Sequence, residues 1–175
     1  MDTSSQVPDE RGRVAILPGV NAYHPERARH PVVVGVDASA GSRAALRWCA
    51  EYADAVGARV VAVHAVDLGE ALRAPVRFGD TAQHDGSWRA QVRDEMRAVW
   101  CQSLGDRDVE FDCRVEEGSA VAALERVADE LDAQLVVVGR DGAAMLAEVV
   151  LGSVPQRLAH ECRRPLVVVP EESNQ

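Results

Sequence analysis

The stretch LVVVGRDGAAMLAEVVLGSV, residues 135–154, decides how the chain is read. It opens on Leu135-Val136-Val137-Val138, a short apolar run that suits a strand buried on both faces. Gly139 and Gly142 follow, and Gly152-Ser153-Val154 then opens a helix expected near 153–162. Such a junction has two readings. Glycines let a backbone turn sharply or lie against a ligand. The first amides of a helix are unpaired and partly positive, which suits a phosphate. Alternatively, the glycines only make turns and Ser153 only caps the helix.

The same alternation runs outward from this stretch. Pro31-Val32-Val33-Val34-Gly35-Val36 reads as a first buried strand. Ala45, Trp48, Cys49, Tyr52 and Val56 then recur at helical spacing, with Gly57 as a C-terminal stop. RVVAVHAV, residues 59–66, reads as a second strand. A helix near 88–104, a strand near 109–115, a helix near 119–132 and the final strand LVVV at 166–169 complete the pattern. Strands alternating with helices of ten or more residues predict a parallel α/β sheet with right-handed crossovers. The domain is expected over residues 31–171. Residues 1–30, with Pro8, Pro18 and Pro25 and no sustained periodicity, read as a disordered tail, and 172–175 as a short C-terminal tail. The connection 67–87 exceeds the usual few residues, so it is either functional or disordered.

Composition narrows the function. Aromatic residues make up only 4% of the chain, so the core must rest on Val, Leu and Ala. A net charge of −9 argues against nucleic acid, whose phosphates are bound largely by cations. All 19 basic residues are arginine. The absence of lysine excludes a phosphate-loop lysine, a Schiff base and a lysine general base. Cys49, Cys101, Cys113 and Cys162 show no metal-type spacing and read as free thiols in a reducing compartment. The polar N-terminus lacks a signal-peptide core, and no apolar run approaches the roughly 20 residues of a membrane span. A cytoplasmic protein with no membrane partner is expected.

In open parallel sheets, ligands bind beyond the carboxyl ends of the strands, where the strand order reverses. Two ends look suited to this: Gly35-Val36-Asp37, followed by Ala38-Ser39-Ala40-Gly41-Ser42, and Gly139 with the loop after it. Asp37 is either a ligand contact or an acid complementing a helix dipole. His64 reads as a core or near-surface residue with a satisfied ring.

The spacing Gly139-x2-Gly142-x9-Gly152-Ser153 resembles the nucleotide-binding pattern of the universal stress protein family. The resemblance covers about residues 31–170 and includes VVVGVDASAGSRAALRW, VVAVHAVD and GSVPQRLAHECRRPLVVVP. It implies a Rossmann-like fold: a five-stranded parallel sheet in the order 3-2-1-4-5, with helices on both faces and the site between strands 1 and 4. It further implies that Asp37 and the backbone of Ala65 hold the adenine and ribose side of ATP. Gly139, Arg140, Gly142, Gly152, Ser153 and Val154 would surround the phosphates, with Mg²⁺ as a candidate companion. A homodimer through the last strand, Leu166–Val169, is also implied; the alternative cover for that edge is the tail segment AILPGV. Two positions depart from the pattern. Pro155 stands where the family often has Ser or Thr, and Asp141 places a carboxylate inside the loop. Asp141 is expected to face solvent in preference to ligating Mg²⁺, and Arg140 can pair with phosphate or with Asp141.

The expected protein is therefore an ATP-binding, nucleotide-responsive regulatory dimer of the stress response. No Ser-His-Asp constellation, carboxylate dyad or metal cluster is legible around the loop, so at most slow ATP hydrolysis is expected. The alternatives are a slow ATPase and a dimeric interaction protein of the same fold that binds no nucleotide.

Overall fold

The computed structural model describes residues 30–67, 87–140 and 152–171. Asp141, Gly142, the AILPGV segment, most of the 67–87 connection and the 172–175 tail lie outside them.

The first strand, β1 (Val32–Gly35), feeds helix α1 (Ala40–Val56). Helix α1 starts because Ser39 stands at its N-cap and accepts from the Ser42 amide. It stops because Gly57 takes a left-handed conformation, φ 67°, and returns its N–H to the Ala53 carbonyl. Strand β2 (Val60–Val66) follows. Helix α2 (Ser87–Glu95) runs into a π-helical turn, Met96–Trp100, and then a short helix, α3 (Gln102–Gly105). Strand β3 (Phe111–Glu117), helix α4 (Ala120–Glu130), strand β4 (Leu135–Gly139), helix α5 (Ser153–Glu161) and strand β5 (Leu166–Val169) complete the order.

The five strands form one parallel sheet in the order β3-β2-β1-β4-β5. Alternate residues of each strand feed two cores, as the strand period of two requires. Val32, Val34, Val60, Ala62 and Val137 meet α1, α2, the π-helical turn and α3 through Ala45, Cys49, Val92, Met96 and Leu104. Val33, Val61, Val136 and Val138 meet α4 and α5 through Leu124, Val127 and Leu158. This is the expected sheet with helices on both faces, built from aliphatic side chains. The aromatics sit at its margin, where Trp48 and Tyr52 stack with ring centres 5.1 Å apart.

Two expected bounds shift. The strand expected near 109–115 begins at Phe111, because Val109 closes the preceding helical end by donating its N–H to the Leu104 carbonyl. The helix expected near 88–104 is not one regular α-helix. The Cys101 amide reaches back five residues to the Met96 carbonyl. That wider turn rotates Val99 out to solvent and turns Cys101 inward.

Candidate functional site

The crevice is made where β1 ends and its neighbours continue. The last β1 register pair toward β2 is Gly35 with Val63, and toward β4 it is Val34 with Val137. In a strand, the polar groups of successive residues point to alternate sides. Val63 accepts from the Val36 amide and so faces β1; Ala65, two residues on, carries its N–H and C=O to the same side. On the other flank, Val136 and Arg140 donate their amides toward β5, to Pro165 and Val169, so Gly139 faces the β1 side. Ala65 and Gly139 thus present backbone polar groups to one gap, past the end of β1.

Asp37 stands at the floor of this gap, exposed. Its Oδ1 accepts from the Ser39 amide at 3.1 Å, which ties the carboxylate to the entrance of α1. Ala38 between them is bent into the left-handed region, φ 61°, a strained conformation for a residue with a Cβ. Arg43 holds the bend by donating Nη1 to the Ala38 carbonyl at 2.6 Å. His64 also serves the gap: its Nδ1 pairs with the Val36 carbonyl at 2.8 Å, and its ring meets Trp100 edge-on at 5.0 Å. Nδ1 thus has its partner, and the ring occupies the carbonyl next to Asp37.

Gly139 has a structural requirement of its own. A Cβ built there would lie 2.4 Å from the Gly41 carbonyl carbon and 2.8 Å from the Gly41 Cα. The first turn of α1 therefore packs directly on the end of β4. Gly41 belongs to the site and was missed by reasoning on the 139–153 spacing alone; its signal lies in the small-residue run Ala38–Ser42.

The start of α5 is pinned to the same place. The Gly152 amide donates to the Arg140 carbonyl at 2.9 Å, closing the two ends of the intervening loop. Gly152 is the N-cap and offers no side-chain bond, so the reading of Ser153 as the cap does not hold. Ser153 is exposed and is the first helical residue. Pro155, buried in the first turn, supplies no N–H, but those amides lack intrahelical partners in any case. Among the described residues, the Ser153 and Val154 amides have no acceptor. Two helix N-termini thus meet at Gly139–Arg140, concentrating partial positive charge there.

A family model for the universal stress protein family matches residues 28–170. The chain belongs to the universal stress protein family. A universal stress protein of Mycobacterium tuberculosis is 30% identical over 160 residues, which is 89% of this chain. The chain spans about half the length of the curated relatives it matches, 50% in that case. Among solved structures, a universal stress protein in complex with cAMP is 26% identical, with a TM-score of 0.54 over 83% of this chain and 99% of that one. The Archaeoglobus fulgidus universal stress protein in complex with dAMP shares the fold at 20% identity, with a TM-score of 0.55 over 81% of this chain and 98% of that one. Among the described residues, no helix is long and apolar enough to cross a membrane, and no three His, Cys, Asp or Glu side chains cluster to hold a metal.

Proposed function

We propose that this chain binds an adenine nucleotide, ATP foremost, in the crevice beyond β1 and acts as a nucleotide-responsive regulatory dimer in the cytoplasmic stress response, with residues 31–171 as its folding unit. The observation that carries the reading is the junction at Gly139–Arg140, where two helix N-termini converge on a gap lined by strand backbone. The residues fit the group. The Ser153 and Val154 amides, without an acceptor among the described residues, suit phosphate oxygens, Gly139 and Gly152 put no side chain in the way, and Arg140 can pair with phosphate. Asp37 would accept from ribose hydroxyls, and the Ala65 backbone would offer a donor and an acceptor to an adenine edge. Gly142 extends the phosphate loop on the strength of the family spacing. Mg²⁺ would enter with the phosphates, held by their oxygens, water and at most one carboxylate. The cAMP complex of a relative supports an adenine ligand in this fold.

Calorimetric titration of ATP, AMP and cyclic AMP, with and without Mg²⁺, tests this reading. Binding should vanish in Gly142→Val while the far-UV spectrum is unchanged. No heat from the parent protein at about 1 mM ATP, where even a weak site releases some, would overturn it in favour of an interaction protein that binds no nucleotide.

The dimer rests on a separate observation. Pro165, just before β5, and Val169 accept from β4, so Leu166 and Val168 turn their backbone groups to the edge that no described strand covers, and their side chains are only half-buried. An apolar edge of this kind invites a second copy, and antiparallel self-pairing suits two-fold symmetry. Light scattering at tens of micromolar should report two chains. Val168→Pro removes an outward donor and should halve the mass. A monomeric parent would return the edge to the AILPGV segment.

A further inference from the structure

At the opposite edge of the sheet, an open cleft of about 570 Å³ runs between β3 and the α2 helix. Arg89, Arg93 and Arg97 line it from the helix, and Asp112, Cys113 and Arg114 line it from the strand. Beneath its wall the Cys113 and Cys101 sulfurs lie 3.9 Å apart. Both thiols are free. Their meeting has a specific origin. Val92, Met96 and Leu104 keep the helix packed on the sheet, and the π-helical turn inserts one residue between Met96 and Cys101, aiming Cys101 at the strand. A regular α-helix would have placed residue 100 there.

We propose that Cys113 and Cys101 are a peroxide-reactive thiol pair, with Cys113, in the wall of the arginine-lined cleft, as the attacking sulfur and Cys101 as the resolving one. Cys113 is only 3% exposed and Cys101 fully buried, so the oxidant must be as small and polar as peroxide, entering along the cleft wall that Cys113 lines. The Cys113 thiolate attacks one peroxide oxygen and the O–O bond breaks. Cys113 becomes a sulfenic acid, and the leaving hydroxide takes the thiol proton as water. The Cys101 sulfur then attacks the Cys113 sulfur. The S–O bond breaks, the S–S bond forms, and the departing hydroxide leaves with the Cys101 proton as a second water. One peroxide is reduced to two waters and two thiols are oxidised to one disulfide.

The surroundings suit these roles. The hydrogen bond shared with Cys101 holds the Cys113 thiol below its ordinary value, aided by the Arg97 and Arg93 guanidiniums and opposed by burial and by Asp112. The same contact, together with burial, raises Cys101, which keeps its proton until the second step. Arg97 is anchored for this task by Asp112 at 3.6 Å and by the face of Phe111 at 5.1 Å. A disulfide length near 2.05 Å requires the sulfurs to close by about 2 Å, within reach of side-chain rotation and a small shift of the edge strand. Cys49, deep under α1 with its thiol raised by burial, and Cys162, on the other face, hydrogen-bond no second thiol among the described residues.

The test exposes the full-length, fully reduced protein to hydrogen peroxide and maps thiols by alkylation and peptide mass spectrometry. The expected result is loss of two of the four thiols, one Cys101–Cys113 linked peptide, and full reversal by dithiothreitol. Cys101→Ser should leave Cys113 carrying added oxygen, trappable by a sulfenic-acid reagent. Arg97→Gln should slow the loss of Cys113 on the order of tenfold while the link still forms, through its reduced thiolate population. Four intact thiols after excess peroxide, a link between any other pair, or loss of Cys113 no faster than of Cys49 would each overturn the proposal. The peptide map of the unmutated protein decides these outcomes even if a variant fails to fold.

Discussion

The β1–α1 and β4–α5 junctions both carry the chain from a buried valine strand into a helix at the same end of the sheet, and they satisfy their polar groups differently. At the first, side chains do the work: Asp37 accepts from the Ser39 amide, Ser39 from the Ser42 amide, and Arg43 donates to the Ala38 carbonyl. At the second, the described bonds are main-chain ones, from Gly152 to Arg140 and from Gln156 to Gly152, and the N-cap residue has no side chain to cap the helix. A junction that supplies its own acceptors is finished when the chain folds. One whose first-turn amides at Ser153 and Val154 have no acceptor among the described residues suits an acceptor from outside. The difference assigns stability to the first junction and, on the proposed reading, phosphate recognition to the second.

The largest expected effect comes from breaking the contact between the two junctions. Gly139→Ala drives a methyl into the Gly41 backbone, which cannot step aside as a flexible side chain would. A loss of about 3 kcal/mol is expected, at the upper end for an overpacked core, read as a fall in urea midpoint at constant slope. A midpoint within error of the parent would show that α1 does not rest on β4 as described. Next in size is Ser39→Ala, which removes the α1 cap and should cost about 1 kcal/mol. Nucleotide affinity should hold within about twofold, since the cap faces its own helix; a tenfold loss would shift phosphate recognition from the α5 to the α1 N-terminus. Ala38→Gly relieves the left-handed bend and should gain about 0.5 kcal/mol, the strain released less the entropy a glycine adds to the unfolded chain. Thermal denaturation checks the sign. The smallest stability change belongs to Gly152→Ser. It gives α5 the cap it lacks, adds a few tenths of a kcal/mol, and sets a hydroxyl in competition for the Val154 amide. Weaker ATP binding, by about tenfold if one charge-assisted bond is lost, would sharpen the contrast, whereas unchanged affinity would place the phosphates elsewhere.

Local chemistry made much of this legible. The LVVVG run at 135–139 and LVVV at 166–169 are strands at the expected bounds, and Gly57 ends α1 as expected, because β-branched runs and a left-handed glycine act within a few residues of themselves. The π-helical turn at Met96–Trp100 was not legible, since reading apolar spacing at 3.6 residues per turn presupposes a regular helix. That turn alone brings Cys101 beside Cys113, so the thiol pair could not be seen from cysteine spacing.

By itself, the sequence determined that the chain alternates buried parallel strands with helices, that its core is aliphatic, and that its fourth strand ends on a residue without a side chain. Each follows from short-range periodicity, composition or backbone freedom. Only the tertiary structure decided what that missing side chain makes room for, the Gly41 backbone of a helix formed far earlier in the chain, and that Ala65 and Gly139 turn their polar groups into one gap. Those are relations between strands that become neighbours only when the sheet closes, and the side to which a backbone group points is set by register, which no single segment carries.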